Sequence, residues 1–486
     1  MRLPIVRTVL VRSGGLYVRA LVAAGAAVAL FFVLSYASTF VDRQNIAAKL
    51  ESANARQAFR QSWAAWSGRA IPHTGGNDCL VLAMFLQDYP SRVAEAVSAR
   101  VPPADMLPRA RPGEPTIPTC LQLIAALDRP AHADPAAIYY HRYLFGQRVL
   151  AALGLAVMPP DALGVVTLLL NILVLLWVLV PALHRGRAPG AWRDRGFAAI
   201  AATLLLFDGL WLFGIYFSFS LSDLVLAAFL GFAYHGGLAH APEPRFATAV
   251  AWFGVATAAF ELLTGGIPFG LALLLGVIAL DGPADAAALL RRAWHGSVIF
   301  VLAILLSFAC KLALVGLLID ASVFADFRAA LATRLGTGAL SALPGHEVAW
   351  VASYGIDVAS IERSWILSVL YMLARLGYAT FVIGYGSPAL GMVIIGMAFV
   401  ITVVLLIRRL RCSTDATTRI RLAVLSASAL VMPVWSLVFL SHTLLHAIWM
   451  VRPFAWFVAL AWLLVLWPTG GDAQVGGRLM LERNSR

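Results

Sequence analysis

The chain has 486 residues, 60% of them hydrophobic and only 13% charged, with a net charge of +12 and a mean hydropathy of +0.81. Soluble domains of ordinary composition carry about a quarter of their residues as charges, so these values exclude that class and fit a polytopic α-helical membrane protein. The positive charge is almost wholly arginine, with lysine only at Lys49 and Lys311; it reads as orientation in a bilayer, and no nucleic-acid partner is expected.

Residues 1–40 form a cytoplasmic N-terminus and a first span. Arg2, Arg7, Arg12 and Arg19 stand without an acid, and the apolar run that follows is too long for a signal-peptide core. Residues 41–160 are the one long stretch that could not sit in a bilayer, so they are expected as a large extracytoplasmic loop. Within it, Asp42–Arg69 predicts an amphipathic helix, because Leu50, Ala53, Phe59, Trp63 and Trp66 recur at near-helical spacing. Ile71–Gly76 reads as a turn, Cys79–Leu86 as an apolar helix and 102–118 as a proline-rich loop. Tyr139–Leu155 reads as a helix returning to the membrane, broken by Pro159-Pro160.

Residues 161–319 hold spans two to seven, near 161–183, 196–214, 217–236, 246–263, 265–280 and 297–319. Residues 388–468 hold three more, near 388–407, 421–440 and 453–468, and 469–486 form a tail. Arginines at 185–195, 291–292, 408–421 and 478–486 fall on alternate loops, which gives about ten spans with both termini inside. Residues 320–387 are a second outer loop. Its Trp365–Gly386 is apolar enough to span, but counting it breaks the arginine rule, so it reads as an interfacial helix, the alternative being an eleventh span.

Polar clusters on the outer face are the places for chemistry. Asp42, just after the first span, is either a general base or metal ligand, or the N-cap of the helix it precedes. Asn77 and Asp78, behind a glycine pair, pose the same choice between catalysis and capping. Tyr139–Arg148, with Tyr140, His141 and Arg142, is either a phosphate-binding edge or an aromatic belt with snorkelling arginines. His442 and His446, four apart on one helix face, precede Arg452; Thr443 stands where a zinc protease needs glutamate. Glu261 ends a span before Gly265-Gly266, while Asp208 and Asp223 near span ends read as interfacial caps. Cys79 and Cys120 share the outer compartment and are paired as a disulfide, the alternative being two buried thiols.

Together Asn77-Asp78-Cys79-Leu80, Tyr139–Gly146, the run Phe260–Pro268 and Ser441-His442 with His446 and Arg452 resemble a group of uncharacterised bacterial multi-pass membrane proteins. More remotely they are similar to the GT-C class of membrane glycosyltransferases. The resemblance implies a GT-C-like fold in a bacterial inner membrane and transfer of a sugar from a polyprenyl-phosphate carrier at the periplasmic face. The acceptor would be a glycan, lipid or protein of the cell envelope. It implies an acid in the first outer loop as base or ligand of a divalent metal such as Mg or Mn, a role Asp42 matches by position and Asp78 by local motif. Arg142, His442, His446 and Arg452 would hold the carrier phosphate. The competing expectations are a transporter or flippase of lipid-linked or anionic solutes, and a surface-polysaccharide polymerase or ligase.

Overall fold

The computed structural model describes residues 3–56, 58–59, 63–66, 69–72, 75–101, 118–127, 138–140, 143–189, 191–261, 265–335 and 363–467. The chain is a helical membrane protein whose helices gather into one bundle, with the segment after the first helix seated on one end. That end is the loop end.

The first helix, α1, runs Leu3–Ser38. The loop-end segment then contains α2 (Arg43–Ala55), β1 (Trp63–Trp66), β2 (Arg69–Pro72), α3 (Gly75–Ala83), α4 (Arg92–Val97), β3 (Ala99–Val101), α5 (Pro118–Leu127), β4 (Ile138–Tyr140) and α6 (Gly146–Val157). The long helix expected over Asp42–Arg69 stops at Ala55. Trp63 and Trp66 lie instead on β1, which pairs antiparallel with β2 from Trp63↔Pro72 to Trp66↔Arg69. Between those strands the sequence reads Ser67-Gly68, a dipeptide type that helical periodicity alone does not weigh. β3 and β4 pair likewise, Ala99 opposite Tyr140, so Tyr139 and Tyr140 enter as a strand and α6 begins only at Gly146. The expected loop over 102–118 lies largely outside the described residues.

The bundle follows: α7 (Pro160–Gly186), α8 (Trp192–Phe207), the one-turn α9 (Leu210–Phe213), α10 (Phe217–Gly236), α11 (Glu243–Phe260), α12 (Gly266–Asp281), α13 (Ala286–Leu318) and α14 (Val323–Leu335). After the undescribed stretch come α15 (Trp365–Ala379), α16 (Pro388–Cys412), α17 (Ala416–Val438), α18 (Leu440–Leu445), α19 (Ala447–Met450) and α20 (Trp456–Val465). Among the described residues, 8 helical stretches are long and apolar enough to cross a membrane. Seven coincide with expected spans, and the eighth, Trp365–Val382, is the stretch read as interfacial. The expected spans 196–214, 246–263 and 265–280 fall on α8, α11 and α12, of 16, 18 and 16 residues, which miss that standard. Gly209 at φ +84 breaks the first of them into α8 and α9. α12 is too short at 16 residues, and it is buried along nearly its whole length.

Close helix contacts rest on small residues, as expected where hydrocarbon gives helices no reason to associate. A Cβ on Gly254 would stand 2.8 Å from the Phe300 carbonyl oxygen, so α11 and α13 meet backbone to backbone there only because that residue is glycine. Outward, α7 and α16 present exposed Leu173, Trp177, Val180, Val400 and Val404, a surface suited to lipid.

The two ends of the bundle differ in chemistry. Opposite the loop end, Asp281 takes Arg193 through Nε at 2.5 Å and Nη2 at 3.1 Å, and His240 at 3.1 Å. Arg421 donates to the carbonyls of Ala279 at 2.6 Å and Gly282 at 2.7 Å; Arg292 donates to those of Ala239 and Ala241. Arginines of three separate turns thus cap helix C-termini at one end, where the helix dipole favours cations.

Candidate functional site

The loop-end segment is a small folded body. Its core joins Ile46 and Leu50 of α2, Val81 and Leu82 of α3, Leu123 of α5 and Leu155 of α6. Cys79 and Cys120 are disulfide-bonded and tie α3 to α5. Glu95 of α4 is buried and pairs with both Arg43 and Arg148, and Arg148 also donates to the Glu95 carbonyl at 2.7 Å. Arg148 is therefore part of that body's framework. Tyr89, against which both arginines lie, has its hydroxyl pushed to a higher pKa by burial.

The two acids expected as base are helix caps. Asp42, exposed, accepts the Gln44 amide at 2.9 Å at the start of α2. Asp78, half-buried with Asn77 beside it, reaches out of its own segment. Its Oδ2 accepts the Phe217 amide at 3.0 Å and its Oδ1 the Ser218 amide at 2.9 Å, with the Ser218 hydroxyl also donating to Oδ1. α10 has no capping side chain of its own at Tyr216, so Asp78 supplies the cap from 139 residues earlier in the chain. Burial pushes its pKa up to about 7, against the opposing hydrogen bonds from Ser218 and Phe217. Glu261 is buried and caps α12 in the same manner, accepting the amides of Gly265 at 3.1 Å and Ile267 at 3.2 Å.

Cations and imidazoles converge where β4, α13, α14, α15 and α18 meet. Tyr140, half-buried, packs its ring on Tyr143 and Phe145. The fully buried Lys311 of α13 donates Nζ to the Tyr143 carbonyl and sits 5.0 Å from the Phe145 ring centre. Arg334 of α14 donates to the Tyr143 hydroxyl at 2.6 Å and lies over the same ring. Burial raises the Tyr143 pKa, with Arg334 opposing and Tyr140 and Glu261 adding to it. The rings of His442 and His446 lie 4.9 Å apart. Burial holds His446 down to about pKa 4, helped by the charges of Arg334 and Arg375; burial, His446 and Arg334 hold His442 well below its ordinary value. Both imidazoles are thus neutral at pH 7, within reach of Arg334's field, and able to donate or accept a hydrogen bond.

Arg452 does not belong to that group. It is buried, and its Nη2 reaches Asp208 Oδ2 at 3.0 Å and also Asp223 Oδ1, while Nε donates to the Asp208 carbonyl at 2.8 Å. Two carboxylates already answer its one charge, so it is in no position to take a phosphate. Asp208 does stand at the C-terminus of α8, but neither it nor Asp223 is interfacial: both are buried within the bundle. His141 and Arg142 lie outside the described residues.

Lys311, Arg334 and Arg375 were not assigned a role from sequence. A signal existed for Lys311, an isolated lysine inside an apolar run, since intramembrane charges mark functional positions by default. Arg334 and Arg375 carried none, because only the packing of α14 and α15 on α18 and α19 brings them to the histidines. Among the described residues no three His, Cys, Asp or Glu side chains are grouped to hold a metal ion.

An apolar groove of about 730 Å³ adjoins this region, between α10 and α11 with Leu150 of α6 at its top. It extends along α11 from Pro244 to Phe260, which at the helical rise is about 24 Å. Trp252 and Phe232 on its walls are each 42% exposed, so it opens sideways. Phe260, at its loop-end limit, is joined to α6 by Gln147, which donates to its carbonyl. No family model matches the chain, and neither a curated protein nor a solved structure matches it.

Proposed function

We propose that the chain is a GT-C-like glycosyltransferase of the bacterial inner membrane, taking a sugar from a polyprenyl-phosphate carrier at the loop end and passing it to a cell-envelope acceptor. The observation that carries this reading is the convergence of Lys311, Arg334 and Arg375 with two neutral histidines around Tyr143. Transfer from a lipid-linked sugar leaves a phosphate whose developing charge needs preorganised cations. It also needs an apolar seat for the chain, which the α10–α11 groove offers beside the same end. The base for the acceptor hydroxyl falls to Asp78, whose pKa of about 7 suits proton transfer near neutral pH. A basic opposite end is consistent with that end facing the cytoplasm and the loop end facing outward.

Transport of a lipid-linked or anionic solute is the second reading, favoured by the buried Asp208–Arg452–Asp223 group inside the bundle. A polysaccharide polymerase or ligase would make the same demand for cations.

The test is transfer by the reconstituted full chain from a labelled polyprenyl-phosphate sugar to envelope acceptors. Arg334→Gln removes a charge-assisted contact worth about 1.5–3 kcal/mol, so KM for the donor rises roughly ten- to a hundredfold. Asp78→Asn lowers kcat with little change in donor KM. Wild-type protein that transfers nothing but moves the labelled lipid across the vesicle membrane would establish the transport reading instead.

A further inference from the structure

The buried acid pair in the bundle does not balance, and this holds whatever reaction the loop end performs. Asp208 closes α8, Asp223 lies in α10, and Arg452 begins the turn Arg452–Ala455 before α20. Side-chain exposures are 2% for Asp208, 7% for Asp223 and 2% for Arg452. Both carboxylates bind the same guanidinium nitrogen, so their bonded oxygens stand within about 6 Å of each other. One face of the guanidinium is closed by the Phe219 ring, whose centre is 3.7 Å from its central carbon. The remaining oxygens, Asp208 Oδ1 and Asp223 Oδ2, are buried and have no hydrogen-bond partner among the described residues. A satisfied ion pair does not leave two acceptors orphaned in this way.

The charged groups that act on the pair are Arg452 and the two acids themselves. Glu261 stands beyond Ser222, across Gly266, with both its oxygens held by backbone amides. From the side of Gly209 the packing group is the Val382 side chain, which is apolar. Two carboxylates and one guanidinium sum to one uncompensated negative charge in a site closed to water. We propose that Asp208 and Asp223 together bind one exchangeable proton, carried between the two oxygens that otherwise lack partners. The proton arrives from hydronium, whose O–H bond breaks as the carboxyl O–H bond forms, leaving water behind; emptying the site reverses the step. A metal cation is the poorer occupant. It needs more oxygens than two and would stand against the guanidinium, whereas a proton needs only one oxygen to bond and one to face. Loaded, the site is neutral overall and joins α8, α10 and the turn before α20. Emptied, it leaves like charges facing each other at that junction.

Infrared spectroscopy of the full chain in lipid reads this directly, as the C=O band of a protonated carboxylic acid at neutral pH. The expected result is a one-carboxyl band present in wild type, absent in Asp208→Asn and in Asp223→Asn, and retained in Arg452→Lys. Asp78→Asn is run in parallel so that the band of that separate acid is subtracted. Arg452→Gln, which removes the one cation, raises the signal to two carboxyls. Should either Asn variant fail to fold, titration of wild type with alkali gives the answer, the band vanishing with its deuterium shift. A wild-type spectrum without a buried protonated carboxyl at neutral pH overturns the proposal. So does a band that sodium removes at constant pH, which would make the site a cation site.

Discussion

A carboxylate that finishes another segment's helix is held in two ways at once, by its hydrogen bonds and by its burial. Asp78 shows the balance: burial outweighs three donors and lifts its pKa to about 7 from 3.8. The folded chain therefore binds this proton more tightly than the unfolded chain does. The stability it contributes is fully present below pH 3.8 and is lost as pH rises through about 7. Thermal unfolding of the solubilised protein will show wild type losing stability against Asp78→Asn over that interval; parallel curves would mean that Asp78 does not titrate there. Asp78→Ala, which loses the cap itself, costs about 1 kcal/mol at acidic pH as well. At this scale the sequence was partly legible. Cap and catalyst were both open readings for Asp42 and Asp78, since Asp is a favoured cap and nothing local says which helix is capped. That Asp78 serves α10 depends on a contact across 139 residues, which no local motif encodes.

At the scale of elements, α2, α4 and α6 are fastened by a single side chain. Glu95 receives Arg43 from α2 and Arg148 from α6, and Arg148 is 5% exposed. Glu95→Gln leaves a buried guanidinium without its counter-charge, a loss of about 3–5 kcal/mol. Limited proteolysis will show the loop-end segment cleaved at lower temperature while the bundle helices stay protected; equal protection of both would mean that the clasp is redundant. Long helices were readable because hydrophobic length is a strong signal, and seven expected spans lie on helices able to cross a membrane. The hairpin of β1 and β2 was not, because Trp63 and Trp66 stand three apart, a spacing that suits a helix, and four residues are too few to show a strand's period. α8 and α12 are shorter than a span, and a break such as Gly209 after α8 does not show in the hydrophobic content of the run.

The molecule as a whole is polarised, with arginine on carbonyls at one end and a folded, disulfide-tied body at the other. Cys412 ends α16 at the arginine end and is an exposed free thiol, while Cys310 is half-buried within α13. An impermeant maleimide applied to intact cells will leave Cys412 unlabelled and will label it in inside-out vesicles. The reverse pattern would invert the proposed orientation and put the cation cluster on the cytoplasmic side. Sequence reasoning reached the arginine alternation because charge in short loops is a summed property. It missed most of the cation cluster because that is a meeting of five distant segments.

The cap that Asp78 places on α10 also bears on how the chain is assembled. In hydrocarbon an unsatisfied amide has no water to turn to, so α10 cannot settle with its first turn open. The segment that closes it precedes it in the chain, carries its own covalent cross-link, and shares its core with Phe217 and Leu221 of α10. Segment and helix thus complete each other: Asp78 closes the first turn of α10, while Phe217 and Leu221 of that helix fill the core beneath Asp78, so a fault in either partner leaves both unfinished.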